Sequence, residues 1–220
     1  MTNKNFRASL IKESEPCDRD SVIYICELAP RVKYNPALVQ AIKWANELDK
    51  KLIVISTIED LEIPAYHIKF HLEALKELRE ELSERKIKFV LKKGKFSNLV
   101  RVVCDRAAGV VIEKAYLDEH KSWRKDLRKK FEGPLYEVET SLVVPPEDVS
   151  SKREYAARTF RPKIMDSYQK NLEIIRTPNV DKSSLRASFD SDIDLTKTVS
   201  NILDDLVQLL SKVLLNLYKF

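Results

Sequence analysis

The most concentrated chemical feature of the sequence is a row of cations between positions 119 and 131. They recur at spacings of three and four residues, which places them on adjoining faces of one helix. The row consists of Lys121, Arg124, Lys125, Arg128 and Lys129. Such a row can follow a phosphate backbone, and the net charge of +5 permits this, so Lys121, Arg124 and Arg128 are candidate nucleic-acid contacts. The alternative is a solvated amphipathic helix with Trp123 packed inward.

Residue types that ligate metals or act as nucleophiles are sparse. His67 and His71 are one helical turn apart, but the Glu of an HExxH pattern is absent, so we predict surface histidines. The three cysteines form no CxxC pair, and we predict no metal site. Only three glycines are present, which excludes a GxGxxG turn and a Walker A loop. Ser/His/Asp and Cys/His patterns are absent too, which argues against an enzyme with its own catalytic centre.

The composition predicts a cytoplasmic protein that does not bind membranes. Apolar runs fall far short of the ~20 residues that a membrane span needs, and the charged first 16 residues indicate no export signal. Cys26 and Cys104 lie in apolar runs and are expected to be reduced core residues. The low glycine and high charge content favour a thermophilic source.

Five apolar segments alternate with helical patterns. The strands and helices that they predict must position the candidate functional side chains. The segments are residues 21–26, 51–57, 87–91, 110–112 and 135–138. Alternation of this kind indicates parallel strands joined by right-handed crossovers. We therefore predict an α/β fold, a doubly wound, Rossmann-like parallel sheet of five strands in the order 3-2-1-4-5, with a C-terminal helical extension.

The remaining segments define the domain boundaries. Residues 1–20 are polar and are predicted to be a flexible arm, followed by the α/β domain over residues 21–168. Residues 169–194 are rich in Ser and Asp and are predicted to be a linker. Residues 195–220 form an amphipathic helix with a broad apolar face, which must cover either its own domain or a partner, including a second copy.

A crevice is expected where the strand order reverses, beyond the ends of the first and fourth predicted strands. The candidate ligand-binding residues there are Glu27, Arg31, Asn35, Glu113, Lys114 and Tyr116. Arg31 and Lys114 could meet a phosphate or carboxylate, and Tyr116 could stack on a ring. The alternative is that both cations are solvated and that the tyrosine only closes the end of the sheet.

Residues 152–164 read KREYAARTFRPKI, and this run resembles a signature of class II cyclobutane pyrimidine dimer photolyases. Residues 31–38, 70–86 and 136–145 resemble further segments of that family in the same order, so the match extends from about residue 22 to residue 168. The chain departs from the family pattern at residues 26–30, which read CELAP.

The resemblance implies the antenna domain of a photolyase, linked to light harvesting or DNA repair. Members of the family can bind a deazaflavin, folate or flavin antenna in this domain, which makes such a chromophore the candidate cofactor here. The resemblance also implies a structural or interdomain role for the signature residues. They are Glu154, Tyr155, Arg158, Arg161 and Lys163. A buried pairing of arginine with glutamate is the simplest form of that role.

A catalytic flavin domain should follow in the family, and only about fifty residues remain. Trp44 and Trp123 both fall in the α/β part, so no tryptophan chain for flavin photoreduction is expected. We therefore expect no catalytic FAD and no repair of pyrimidine dimers by this chain alone. A separately encoded flavin-binding subunit is the expected partner. The competing hypothesis is a non-enzymatic module that binds protein or DNA through residues 119–131 and the C-terminal helix.

Overall fold

The computed structural model describes residues 7–58, 64–172 and 174–206, and these contain a six-stranded sheet. The strands are β1 Ala8–Lys12, β2 Ser21–Ile25, β3 Lys51–Ile58, β4 Lys88–Lys93, β5 Ala107–Glu113 and β6 Leu135–Val138. The helices are α1 Pro36–Glu47, α2 Ala65–Glu84, α3 Phe96–Arg106, α4 Asp118–Lys130, α5 Pro146–Val149, α6 Ala157–Asn171 and α7, residues 199–206.

The five predicted strands are parallel and lie in the predicted order. The sheet runs β1-β6-β5-β2-β3-β4, and β2 pairs in parallel with both β3 and β5. Every residue of β2 is buried because helices cover both faces of the sheet. The doubly wound α/β fold is therefore confirmed, and the sheet differs from the prediction by one additional strand at its edge.

Two helical layers enclose the sheet. The apolar sides of α1 and α2 pack on one face, whereas those of α3 and α4 pack on the other. Asn35 caps α1, as its side-chain oxygen accepts a hydrogen bond from the backbone N–H of Leu38 at 2.9 Å, and Pro36 follows at the first helical position. Trp44 of α1 lies directly over Gly109 of β5, where an added Cβ would stand 2.1 Å from the indole ring.

The additional strand corrects the prediction of a flexible arm over residues 1–20. Strand β1 pairs antiparallel with β6, and its neighbour Arg7 donates hydrogen bonds to the carbonyls of Leu142 and Val143, both at 2.8 Å. Sequence pattern did not reveal β1 because its residues alternate poorly between apolar and polar, and its pairing partner lies about 125 residues away along the chain. Residues 1–6 lie outside the described part of the chain.

The predicted linker is also corrected, because part of it is a strap, residues 183–192, along the edge of β4. Ser184 accepts a hydrogen bond from the N–H of Lys88 at 2.8 Å, and Ser191 accepts one from that of Leu91 at 3.0 Å. Phe189 is 4% exposed and lies beneath the Arg106 guanidinium, 5.0 Å from the ring centre. Serine side chains thus satisfy backbone groups that an unpaired edge strand would leave open.

The described part of the C-terminal extension docks on its own domain. Ile202 and Leu206 of α7 are 2% and 5% exposed and belong to the same apolar cluster as α1 and α2. Residues 207–220 of the predicted helix lie outside the described residues. Among the helices that are described, none is long and apolar enough to cross a bilayer.

Candidate functional site at the carboxyl edge of the sheet

Glu113, the last residue of β5, is the centre of the predicted crevice. It is fully buried, and its carboxylate accepts hydrogen bonds from the N–H groups of Glu27 at 2.8 Å, Leu28, and Ala29 at 3.1 Å. The hydroxyl of Tyr24 donates a fourth hydrogen bond at 2.8 Å. Burial raises the pKa of Glu113, and these donors oppose that shift because they stabilise the ionised form.

Asn35 ties the same loop to the start of α1. Its amide donates to the carbonyl of Arg31 at 2.9 Å and to that of Ala29 at 3.2 Å, while its oxygen caps the helix. Asn35 is fully buried, so its polar atoms serve the loop itself. Tyr24, which the sequence analysis missed, completes this group; its position at the centre of an apolar strand gave no signal of a polar role.

Glu27, the second residue after β2, forms an ion pair with Arg124 of α4. The side chains of both residues are nearly inaccessible, at 5% and 6% exposure. Glu27 also lies 2.9 Å from His120 Nδ1 and accepts a hydrogen bond from Trp123 Nε1 at 3.1 Å. Burial lowers the pKa of Arg124, and the Glu27 carboxylate counteracts this effect. The sequence analysis did not connect these residues, because it assigned Glu27 to ligand binding and Arg124 to a nucleic-acid contact.

The assignment of Arg124 as a nucleic-acid contact is corrected by this geometry. Its guanidinium donates to the carbonyl of Glu113 at 2.9 Å and to that of His120, so its charge is used inside the domain. Lys121 and Arg128 remain exposed on α4. The helix therefore combines a buried cation with an exposed basic face, and Trp123 packs inward as the alternative interpretation expected.

Arg31, Lys114 and Tyr116 lie at the outer part of the same edge of the sheet, beyond the carboxyl ends of β2 and β5. Arg31 is exposed and donates to the carbonyl of Thr140 at 3.0 Å. Lys114 forms a salt bridge with Glu147 at 2.8 Å, and its ammonium lies 5.6 Å from the ring centre of Tyr116. The structure therefore brings all six predicted residues to one edge of the sheet, but only these three retain access to a ligand.

Glu139, which follows β6, is a further buried acid that the sequence analysis missed. It is 2% exposed and accepts hydrogen bonds from the N–H groups of Ser141 and Leu142, both at 2.9 Å, and from the hydroxyl of Tyr116. Burial, followed by this hydrogen bond to Glu139, raises the pKa of Tyr116. The available signal was that each of three neighbouring strands ends at a glutamate: Glu27 after β2, Glu113 in β5 and Glu139 after β6. The carboxyl ends of these strands meet at one edge of the sheet.

The signature segment forms a different arrangement from the predicted one. Glu154 pairs with Lys163 of α6 at 2.6 Å and accepts hydrogen bonds from Ser150 and Thr159 at 2.8 and 3.0 Å. These contacts, with Lys163 first, lower the pKa of Glu154 to about 2. Arg158 is exposed, which corrects the prediction of a buried pairing between arginine and glutamate. Arg161 is also exposed.

Large apolar side chains accompany these exposed cations on and around α6. Tyr155 is 86% exposed, Met165 is 61% exposed and Ile174 is 81% exposed. Tyr168 and Leu172 add further exposed apolar surface. We call these five side chains the α6 surface, and apolar exposure on this scale is typical of an interaction site.

Other parts of the described chain offer less chemistry. A cavity of about 600 Å³ lies at the opposite, amino edge of the sheet, where its arginines Arg19 and Arg106 already donate to backbone carbonyls. Within the described residues, no three His, Cys, Asp or Glu side chains cluster as metal ligands do. His67 and His71 both lie on α2, and burial lowers the pKa of His71.

The chain is similar to known proteins of one family. A family model described as DNA photolyase matches residues 22–179. The chain is 34% identical over 175 residues to a deoxyribodipyrimidine photo-lyase from Methanothermobacter thermautotrophicus, and 30% identical over 149 residues to one from Arabidopsis thaliana. These matches cover 78% and 65% of this chain but only 39% and 30% of the relatives.

Two solved structures share the fold. One is an archaeal photolyase from Sulfolobus tokodaii, with a TM-score of 0.58, 15% identity and coverage of 84% of this chain and 41% of the other. The other is a class III photolyase from Agrobacterium tumefaciens, with a TM-score of 0.60, 18% identity and coverage of 88% and 39%. Since the family model spans well over half of its residues, the chain belongs to the DNA photolyase family and comprises the N-terminal α/β domain of that family.

Proposed function

We propose that this chain is the α/β half of a photolyase-type assembly for DNA repair, in which a flavin-binding helical partner docks on the α6 surface. In this proposal the repair of pyrimidine dimers is an activity of the assembly. The chain spans less than half the length of the photo-lyases that it matches. The resemblance of residues 152–164 to the class II signature supports a partner of that class.

The exposure of the α6 surface is the observation that carries this proposal. Met165 and Ile174 expose most of their apolar area, and burial of such groups contributes roughly 25 cal/mol per Å². Arg158 and Arg161 add exposed positive charge to the same helix. The partner should therefore offer an apolar patch with acidic residues at its rim.

Co-purification tests the docking. The tagged chain, produced in its native host, should retain a flavoprotein that is identified by its bound FAD and by mass spectrometry. The Met165→Glu variant should lose that partner, because it places a charge in the apolar contact. The matched control is Leu10→Glu, which changes an exposed leucine on β1. Absence of any flavoprotein, or equal retention by both variants, would contradict the proposal.

The accessible side chains at the carboxyl edge of the sheet support a second candidate function, the binding of an antenna chromophore. Lys114 and Tyr116 stand together there, and Tyr34 and Leu117 on the neighbouring loops are both 60% exposed. A deazaflavin, folate or flavin could stack on the aromatic side chains, with Arg31 or Lys114 on an anionic group. An absorption spectrum of the protein from its native host tests this. Near-ultraviolet or blue absorbance is expected, and its absence together with no binding of the three chromophores would exclude the function.

The alternative of a DNA-binding module depends on the exposed face of α4. If Lys121 and Arg128 each contact a phosphate, replacing either with alanine should weaken DNA binding and reduce the salt slope by about 1. Lys43→Ala, which removes an exposed cation from α1, is the control. Equal effects from all three variants would indicate non-specific attraction only.

A homodimer through residues 195–220 is the remaining partner hypothesis. Ile202 and Leu206 already pack on their own domain, so a dimer would have to use other residues of this segment. Size-exclusion chromatography with light scattering tests it, and a strict monomer at high micromolar concentration would rule it out.

A further inference from the structure

The loop after β2 directs three consecutive backbone N–H groups at one point. Glu27, Leu28 and Ala29 all donate to the two oxygens of Glu113, and the Tyr24 hydroxyl donates to the same carboxylate. Successive N–H groups that converge in this way form an anion-binding concavity. The loop therefore has the geometry of an anion site, and a side chain of the domain itself fills it.

The position of this loop is the one at which doubly wound sheets bind ligands. It follows the carboxyl end of β2, which lies between β3 and β5 in the sheet and pairs in parallel with both. In such sheets the ligand crevice lies at this reversal of strand order. A phosphate or carboxylate of a bound molecule would ordinarily use free N–H groups at this point.

Glu113 prevents that use. The residue is fully buried, and each of its two oxygens receives two hydrogen bonds, which suits an ionised carboxylate. An external anion could reach the three N–H groups only by displacing Glu113. The displaced carboxylate would then remain buried without donors, which is strongly unfavourable.

We propose that residues 27–29 form a binding site for carboxylates and phosphates that Glu113 keeps occupied. Glu113 thereby restricts the crevice to ligands that place no anionic group on this loop. An antenna chromophore or nucleotide that binds here must direct its charged groups outward, toward Arg31 or Lys114. This inference is independent of a flavoprotein partner, because it concerns only contacts inside the domain.

Chemical rescue tests the site. Glu113→Ala removes the internal carboxylate and should lower the thermal midpoint of the protein. Added acetate or inorganic phosphate should then raise that midpoint in a saturable manner, because an anion that binds only the folded state stabilises it. Glu113→Gln is the matched control, since its amide fills the same space and should block rescue. The wild-type midpoint should not respond beyond the general salt effect measured with chloride.

Two results would overturn the inference. One is a Glu113→Ala protein that acetate and phosphate stabilise no more than they stabilise Glu113→Gln. The other is obtained on the wild-type protein and applies even if the alanine variant fails to fold. The amide NMR signals of Glu27, Leu28 and Ala29 should stay unchanged on addition of phosphate or acetate, and a saturable shift of these signals would show that the loop is open to anions.

Discussion

Replacing Arg124 with methionine tests whether this buried cation of α4 stabilises the fold. The substitution keeps an unbranched side chain but removes the partner of Glu27, and both side chains are about 95% inaccessible. It also leaves the carbonyls of Glu113 and His120 without this donor. Breaking a buried ion pair by removing one partner costs about 3–5 kcal/mol.

The remaining contacts of Glu27 place the expected loss near the lower end of that range. The Trp123 indole N–H still donates at 3.1 Å, and His120 Nδ1 lies at 2.9 Å, so the carboxylate is not left alone. We therefore expect Arg124→Met to lower the free energy of unfolding by about 3 kcal/mol. Urea unfolding followed by circular dichroism measures this loss.

Two further variants make the measurement decisive. Lys121→Met, an equal change of charge at an exposed position of the same helix, should alter the free energy of unfolding by less than about 0.5 kcal/mol. The double variant Arg124→Met with Glu27→Leu should recover at least about 1 kcal/mol, since an apolar pair leaves no buried charge. The reasoning fails if Arg124→Met is no more destabilising than Lys121→Met.

Three other predictions follow from the packing and the charges. Gly109→Ala places a Cβ against the ring of Trp44 and should cost about 1–3 kcal/mol in urea unfolding, and an unchanged midpoint would contradict the close contact. Phe189→Ala should release the strap and accelerate hydrogen exchange at the N–H of Leu91, which Ser191 protects, whereas exchange at α1 should stay unchanged. The pKa of Glu154 is lowered to about 2 from an ordinary value of 4.5, so its stabilising contribution is complete above pH 4.5 and is lost as the pH falls toward 2. NMR titration of the Glu154 carboxyl checks this, and a midpoint near 4.5 would refute it.

The apolar pattern was sufficient to predict the central sheet. Residues 21–26 form a continuous β-branched and aromatic run, which suits a strand covered on both faces. Asn35 followed by Pro36 identified the start of α1 because capping is a local property of a few residues. The rule for parallel crossovers then led from alternation to the strand order.

Local pattern could not reveal segments whose structure depends on distant partners. Strand β1 exists because β6 offers an unpaired edge, and residues 183–192 are ordered because β4 offers another. Neither segment has an apolar periodicity of its own. Both were therefore predicted to be irregular, although the folded sheet holds them in place.

The same division holds for the site: its place in the fold followed from the sequence, whereas its contacts depended on the folded structure. The sequence by itself determined that Glu27 and Glu113 would lie near one edge of a doubly wound sheet, since strand ends and crossovers follow from hydrophobic periodicity. Only the tertiary structure decided that Glu113 fills the loop after β2 and that Arg124 is buried against Glu27. The reason is physical: whether a charged side chain faces solvent or another charge depends on side-chain directions and burial, which arise when distant elements pack together.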